Sequence, residues 1–188
     1  MSPAFAIRPA VVADIPVLRV LIDASVRQLQ SADYTPVQID SALRTVFGVD
    51  SQLIADGTYL LVQTVPPDSG RSPVIVACGG WSKRKTLYGG DRWRDRQDNL
   101  LDPATEAAKI RAFFIHPDWA RQGIGTLLLA ACETAARAAG FRRFEMGATL
   151  TGAKLFQERG YLARERLEVP LEGDVTLPVI HMVKETPR

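Results

Sequence analysis

One stretch of this chain restricts its fold more than any other. Between Ala107 and Ala148 a β-rich run, a short Gly-x-Gly loop, an amphipathic helix pattern and a second β-rich run follow one another with almost no slack. Ala107–Ile115 reads as the first strand and Arg142–Ala148 as the second. Between them Ile124, Leu127, Leu128, Ala131, Cys132, Ala135 and Ala136 recur at helical spacing. A helix running from Gly123 to Ala139 therefore buries one stripe, and Gly140 can end it. A strand–helix–strand unit of this kind returns the chain to its sheet with the two strands parallel. Parallel strands need helices on their faces, so the expected class is α/β with a mixed central sheet flanked by helices.

The remaining sequence supplies the other layers. Ala4–Arg8 reads as a first strand, and Asp14 with Pro16 behind it reads as a helix start. A second helix begins at Thr35, with Pro36 at its first position and Gln38 completing a capping box. Asp56-Gly57 is a turn. Thr58–Val62 and Val74–Cys78 form a hairpin across the proline-rich Val65–Pro73 loop. A short helix over 152–159 and two late strands, 164–170 and 175–183, close the chain. The 188 residues, 46% of them hydrophobic and 23% charged, suit a single domain over residues 4–185. The net charge of +2 argues against a nucleic-acid partner. No apolar run is long enough for a membrane span, and Met1–Phe5 lacks the basic start of a leader. Cys78 and Cys132, set among apolar or small residues, suit a reducing, cytoplasmic compartment.

The Gly-x-Gly loop carries the chemistry. A helix start leaves backbone N–H groups unpaired at the positive end of its dipole. Glycines let that backbone approach a ligand closely, which makes an anion site suited to phosphate or pyrophosphate. A tight strand-to-helix turn is the plain alternative. A Walker loop does not match. A dinucleotide fingerprint would need a third small residue where Leu128 stands, although Glu145 lies near the distance of a ribose-binding acid.

Ile115-His116-Pro117 through Gly123-Ile124-Gly125-Thr126-Leu127-Leu128 resembles the acetyl-CoA-binding signature of the GNAT superfamily of N-acetyltransferases. The element order resembles that family over nearly the whole chain, and Leu155–Tyr161 is similar to its Phe-Tyr-x-x-x-Gly-Phe segment. The resemblance implies a GNAT-like acyl-CoA N-acyltransferase fold. It implies acetyl-CoA as co-substrate and an amine acceptor, small molecule or peptide; it implies no metal and leaves a homodimer open. It implies a signature strand splayed from its neighbour, with Phe113, Phe114 and Ile115 along the pantetheine arm. The loop residues Arg121, Gln122, Gly123, Ile124, Gly125 and Thr126 would hold the pyrophosphate. Two positions depart from the family pattern. Ala120 stands where Arg or Gln is usual, and Phe156 replaces the tyrosine that often protonates the leaving thiolate. A non-catalytic acyl-CoA-binding domain is therefore the rival reading.

Acyl transfer to an amine needs a neutral amine, a stabilised oxyanion and a leaving thiolate. An alkylamine with pKa about 10.4 is almost wholly protonated at neutral pH, so a base helps. A thiol with pKa about 8.5 leaves readily, so a missing acid costs less. The candidate bases are His116, directly after the signature strand, and Glu145, which faces away from Phe144 and Met146. Plain alternatives are a turn role for His116 and an ion pair for Glu145. Arg111 either orients an anionic acceptor or pairs with a carboxylate. Tyr161 and Trp81 read as packing. The long charged segment from Lys83 to Pro103 reads as a solvated loop or as a cover over the acceptor side, with Trp93 as its apolar contact.

Overall fold

The computed structural model describes residues 4–66, 70 and 72–186. The readings of Met1–Pro3 and, within the Val65–Pro73 loop, of residues 67–69 and 71 fall outside these residues. Seven strands form one mixed sheet, in the order β1-β2-β3-β4-β5-β7-β6. They are β1 (Ala4–Pro9), β2 (Tyr59–Val65), β3 (Ile75–Ser82), β4 (Ala108–Ile115), β5 (Arg143–Thr149), β6 (Leu162–Pro170) and β7 (Thr176–Glu185). All neighbours pair antiparallel except β4 and β5, which are parallel. The crossover between them is α4 (Ile124–Ala138), as its apolar stripe requires.

The sheet's two faces carry separate cores. On one, α4 brings Leu128, Leu129, Cys132 and Ala136 onto Val62, Ile110, Phe144 and Met146. On the other, α1 (Ile15–Leu29) and α2 (Pro36–Thr45) bring Leu18, Leu21, Ile22, Ile39 and Ala42 onto Leu61, Cys78 and Phe114. The capping box at Thr35 forms in both directions: Gln38 N donates to Thr35 Oγ1 at 3.3 Å, and Thr35 N donates to Gln38 Oε1 at 2.9 Å. Asp14 precedes α1 but does not cap it with its side chain. Its carboxylate instead accepts from Arg8 at 2.7 Å and from Val11 N at 2.8 Å, which closes the turn before the helix.

Two elements differ from the sequence expectation. A short helix, α3 (Ser51–Ala55), follows Asp50, whose side chain accepts from Leu53 N. Five residues are too few to show a periodicity. The last helix, α5 (Leu150–Glu158), begins two residues early because Thr149 caps it through Gly152 N at 3.1 Å. The 83–103 segment is pinned at both ends of its course. Leu101 N donates to Lys83 O at 2.8 Å, Lys85 N to Asn99 O at 3.1 Å and Thr86 N to Gln97 O at 3.1 Å. Its tip docks beside α2 and α3, where Gly90 N donates to Val46 O at 2.8 Å and Asp91 N to Val49 O at 3.0 Å.

Tyr34, between α1 and α2, ties the helical layer to the far half of the sheet. Its buried hydroxyl donates to Pro178 O of β7 at 2.8 Å and accepts from Leu150 N of α5 at 2.8 Å. Burial pushes this phenol's pKa up to about 12, so it stays a donor. Tyr34→Phe keeps the ring and strands both backbone partners. Thermal or denaturant unfolding should show a loss of about 1–3 kcal/mol. A loss below about 0.3 kcal/mol would mean that other groups satisfy that junction.

Candidate active site

Strands β4 and β5 begin together and then part. Their registered pairs are only Ala108↔Phe144 and Lys109↔Glu145, at the start of each strand. Beyond Lys109 the edge of β4 facing β5 has no strand partner among the described residues. A bulge in β4 sharpens the divergence. Cys78 pairs with Phe114 and Gly80 with Arg111, so Ala112 and Phe113 together oppose the single Gly79. Ala112 takes φ 55°, a left-handed conformation uncommon outside glycine. The buried Tyr59 hydroxyl lies 3.3 Å from Ala112 O and holds the bulge from behind. With the bulge, Arg111 and Ala112 are consecutive yet turn toward the α1–α2 side, while Ile110 and Phe113 pack on the α4 side.

The gap opens into a cavity of about 870 Å³. Phe113, Phe114 and Ile115 of β4 line it, as do Met146, Gly147 and Ala148 of β5. At one end lies the start of α4, where Arg121 (φ 65°) and Gly123 (φ 80°) turn the backbone left-handed. No side chain caps the helix, and its first bond is Leu127 N to Gly123 O at 3.0 Å. The amides of Ile124, Gly125 and Thr126 have no hydrogen-bond partner among the described residues. Such an array at a dipole's positive end is an anion site. Arg121, Gly123, Ile124, Gly125 and Thr126 all line the cavity. Gln122 does not; its side chain turns to Asp118 O at 3.4 Å.

The two loop glycines serve different ends. Gly123 needs its left-handed φ and has open space where a Cβ would stand. At Gly125 a Cβ would lie 2.8 Å from Leu155 Cδ2 and 3.2 Å from Ile115 Cδ1. Its missing side chain therefore lets α4 approach α5 and β4, rather than clearing room for a ligand as the sequence suggested.

Neither candidate base lines the cavity. His116 stands at the head of the 117–119 turn, where its Nδ1 accepts from Asp118 N at 3.3 Å. Glu145 sits at the closed end of the splay between Lys109, in contact with one carboxylate oxygen, and His181, whose Nε2 is 2.8 Å from the other. Burial pushes the Glu145 carboxyl up, but the hydrogen bonds from Lys109 and His181 outweigh it and hold it below its ordinary range. Phe156 lines the cavity and packs edge-on against both Phe113 and Tyr161, at 5.9 Å between ring centroids in each case. Leu87, Tyr88, Gly89 and Gly90 of the 83–103 segment complete the wall on the α1–α2 side. There Tyr88 lies over Gly147 and leans on Trp93 at 5.3 Å.

Three contributors were missed in the sequence. Ser25 of α1 accepts from Ile115 N at 3.2 Å, so helix α1 seals the far end of β4's free edge. Asp50, fully buried, pairs with Arg111 at 2.7 Å and with Arg96 at 3.3 Å. Arg96 comes from the 83–103 segment, and nothing in its local sequence separates it from the other arginines there. Burial lowers the Arg111 guanidinium below its usual range, and Asp50 opposes that shift.

The family model for the acetyltransferase (GNAT) family matches residues 25–161. Among curated proteins no match is found. Solved structures match over nearly the full length. A GCN5-related N-acetyltransferase from Rhodopseudomonas palustris is 25% identical, with 99% of each chain covered and a TM-score of 0.68. The PaiA N-acetyltransferase from Thermoplasma acidophilum, in complex with coenzyme A, is 11% identical over 97% of this chain and 99% of its own, with a TM-score of 0.62. YncA from Salmonella typhimurium, a putative acetyltransferase with its cofactor acetyl-CoA, is 15% identical over 98% and 95%, with a TM-score of 0.59.

The Lys109–Glu145–His181 chain locks the closed end of the splay, and its worth depends on pH. The folded carboxyl titrates below the unfolded value of about 4.3. Its contribution is therefore complete above that value and is lost as pH falls through the folded pKa. Glu145→Gln should lower the melting temperature at pH 7, and the gap from wild type should close as pH drops below about 4. A constant gap across that range would mean the charge is not what stabilises the junction.

Proposed function

The chain belongs to the GNAT acetyltransferase family, and from that premise we propose that residues 4–185 form one N-acetyltransferase domain moving acetyl from acetyl-CoA to an amine within a single ternary complex. One observation carries the reading. A strand edge without a strand partner runs through the cavity toward an uncapped helix start whose amides are also unpartnered. Those two features fit the two halves of an acyl-CoA tail: amide-bearing pantetheine against a strand, and pyrophosphate on a helix dipole.

When bound, acetyl-CoA supplies an activated thioester; the protein supplies position. The unpartnered amides of Ile124, Gly125 and Thr126 hold the pyrophosphate, with Arg121 and Gly123 beside them on the cavity wall. Phe113 and Ile115 present backbone along the splayed edge, and Phe113 with Phe156 forms the apolar wall beside it. A backbone N–H on the splayed edge of β4 is the donor this reading assigns to the oxyanion. The acceptor enters from the α1–α2 side, past Phe47 and Tyr88. Holding both reactants in one cavity supplies much of the rate through orientation. The neutral amine attacks the thioester carbonyl, the C–S bond breaks as the C–N bond forms, and the proton lost by the amine nitrogen passes to solvent; Phe156 offers no proton, and a thiol with pKa about 8.5 leaves as the thiolate. His116 and Glu145, both off the cavity wall and both engaged elsewhere, have no part in this scheme. Free, buried Cys78 and Cys132 suit work in the cytoplasm, where thiols stay reduced.

Calorimetric titration with acetyl-CoA, joined to thiol release in the presence of amines, tests this directly. Wild type should bind acetyl-CoA and release thiol only with an amine present. Gly123→Ala forces a side chain into a left-handed position at a cost of about 1–2 kcal/mol, which should weaken acetyl-CoA binding by roughly tenfold. Gly123→Asn, which tolerates that conformation, should recover much of it. His116→Ala should keep kcat/KM within about twofold. Tight binding without thiol release under any amine would favour the acyl-CoA-binding reading instead.

A further inference from the structure

Resting on the acetyl-transfer reading and deepening it, we propose that the acceptor is an amine with an apolar body and a carboxylate, and that Arg111 receives the carboxylate. Arg111 lines the cavity although its side chain is only 2% exposed. Its Nη2 is engaged by Asp50 and by Gly89 O. Its Nε is buried without a hydrogen-bond partner, and Nη1, on the other side of the guanidinium from the Nε–H, donates no hydrogen bond among the described residues. A guanidinium has five N–H donors, and burying one of them unpaired is costly. A carboxylate in the cavity can accept from Nη1, on a guanidinium whose Asp50 partner is shared with Arg96.

The local charge agrees. Asp50 is one carboxylate facing two guanidiniums, Arg111 at 2.7 Å and Arg96 at 3.3 Å. Asp98 meets Arg96 at 3.5 Å from the outside, where its own side chain is 54% exposed. Asp50 also caps α3 through Leu53 N at 3.3 Å and cannot turn away to serve Arg111 alone. The inner wall beside Arg111 therefore favours an anion.

The same wall disfavours a polycation. The carboxylates that line the cavity, Asp33 and Glu158, belong to exposed residues, and Asp33 already accepts from the Thr151 hydroxyl at 2.5 Å. Between rim and floor the acceptor side is apolar: Leu29, Val46, Phe47, Val169, Leu177 and Val179. These side chains can hold an aliphatic or aromatic body and offer no partner to a second ammonium; Gln30 Oε1, a buried neutral acceptor without a partner, also lines the cavity but carries no charge to meet one.

The test compares acceptors on wild-type protein with acetyl-CoA, scored by thiol release. The panel is L-leucine and L-phenylalanine, their decarboxylated counterparts 3-methylbutylamine and 2-phenylethylamine, and spermidine. Each amino acid should exceed its decarboxylated counterpart at least tenfold in kcat/KM, and spermidine should be the poorest acceptor. Equal or reversed ranking, or turnover of none of the carboxylate-bearing amines while acetyl-CoA binds, overturns the proposal. Arg111→Lys keeps a charge opposite Asp50; it should raise KM for the amino acids and leave KM for the decarboxylated amines within about twofold. An equal loss for both sets would make Arg111 structural only. The wild-type comparison stands even if that variant does not fold. Failure of wild type to bind acetyl-CoA at all would instead contradict the acetyl-transfer reading on which this rests.

Discussion

The site depends on a pairing that stops early. β4 and β5 hold each other through two registered positions and then diverge, so a sheet that is otherwise continuous between its outer strands keeps one internal edge open. An unpaired edge inside a fold is costly unless something satisfies its backbone groups. Here one amide is taken by Ser25 from α1, and the carbonyl of the bulged Ala112 is met from behind by Tyr59. The remaining edge faces the cavity. The chain of Lys109, Glu145 and His181 fastens the closed end, so the strands part at a defined place.

Helix α4 converts this gap into an oriented site. Its apolar stripe fixes it across β3 and β4, which puts its uncapped start at the mouth of the splay. Gly125 allows the close contact with Leu155 and Ile115 on which that placement rests. Dipole, unpaired amides and open strand edge then point into one cavity. The acceptor side is built from different parts of the chain: the end of α2, the pinned 83–103 excursion, and the inward faces of β6 and β7. The proposed acyl-donor and acceptor halves thus rest on separate layers of the fold.

Much of this architecture was legible in the residues. The 124–136 stripe, the Thr35–Pro36–Gln38 cap and the β-rich runs each carry a local periodicity or turn chemistry, and the elements formed where those signals lie. The loop from Arg121 to Thr126 was readable because a strand, a glycine pair and a helix start are contiguous. What was not readable depends on contacts between distant segments. The Ala112 bulge arises from register against β3. Asp50 meets Arg111 and Arg96 only after three segments converge. The 83–103 segment looks irregular because backbone bonds to Val46 and Val49, rather than any periodic pattern, order it. Phe156 was readable as a missing hydroxyl, and the packing of its ring between Phe113 and Tyr161 explains why an apolar side chain suits the position.

On the proposed function, the splayed edge of β4 and the start of α4 form one continuous acyl-CoA seat. Backbone hydrogen exchange, followed by mass spectrometry with and without acetyl-CoA, addresses both halves in one measurement. Ligand should slow exchange in the peptides spanning 110–116 and 121–127 together, with little change in the edge strands β1 and β6. Protection confined to one of those two segments, or appearing only elsewhere in the molecule, would contradict that reading.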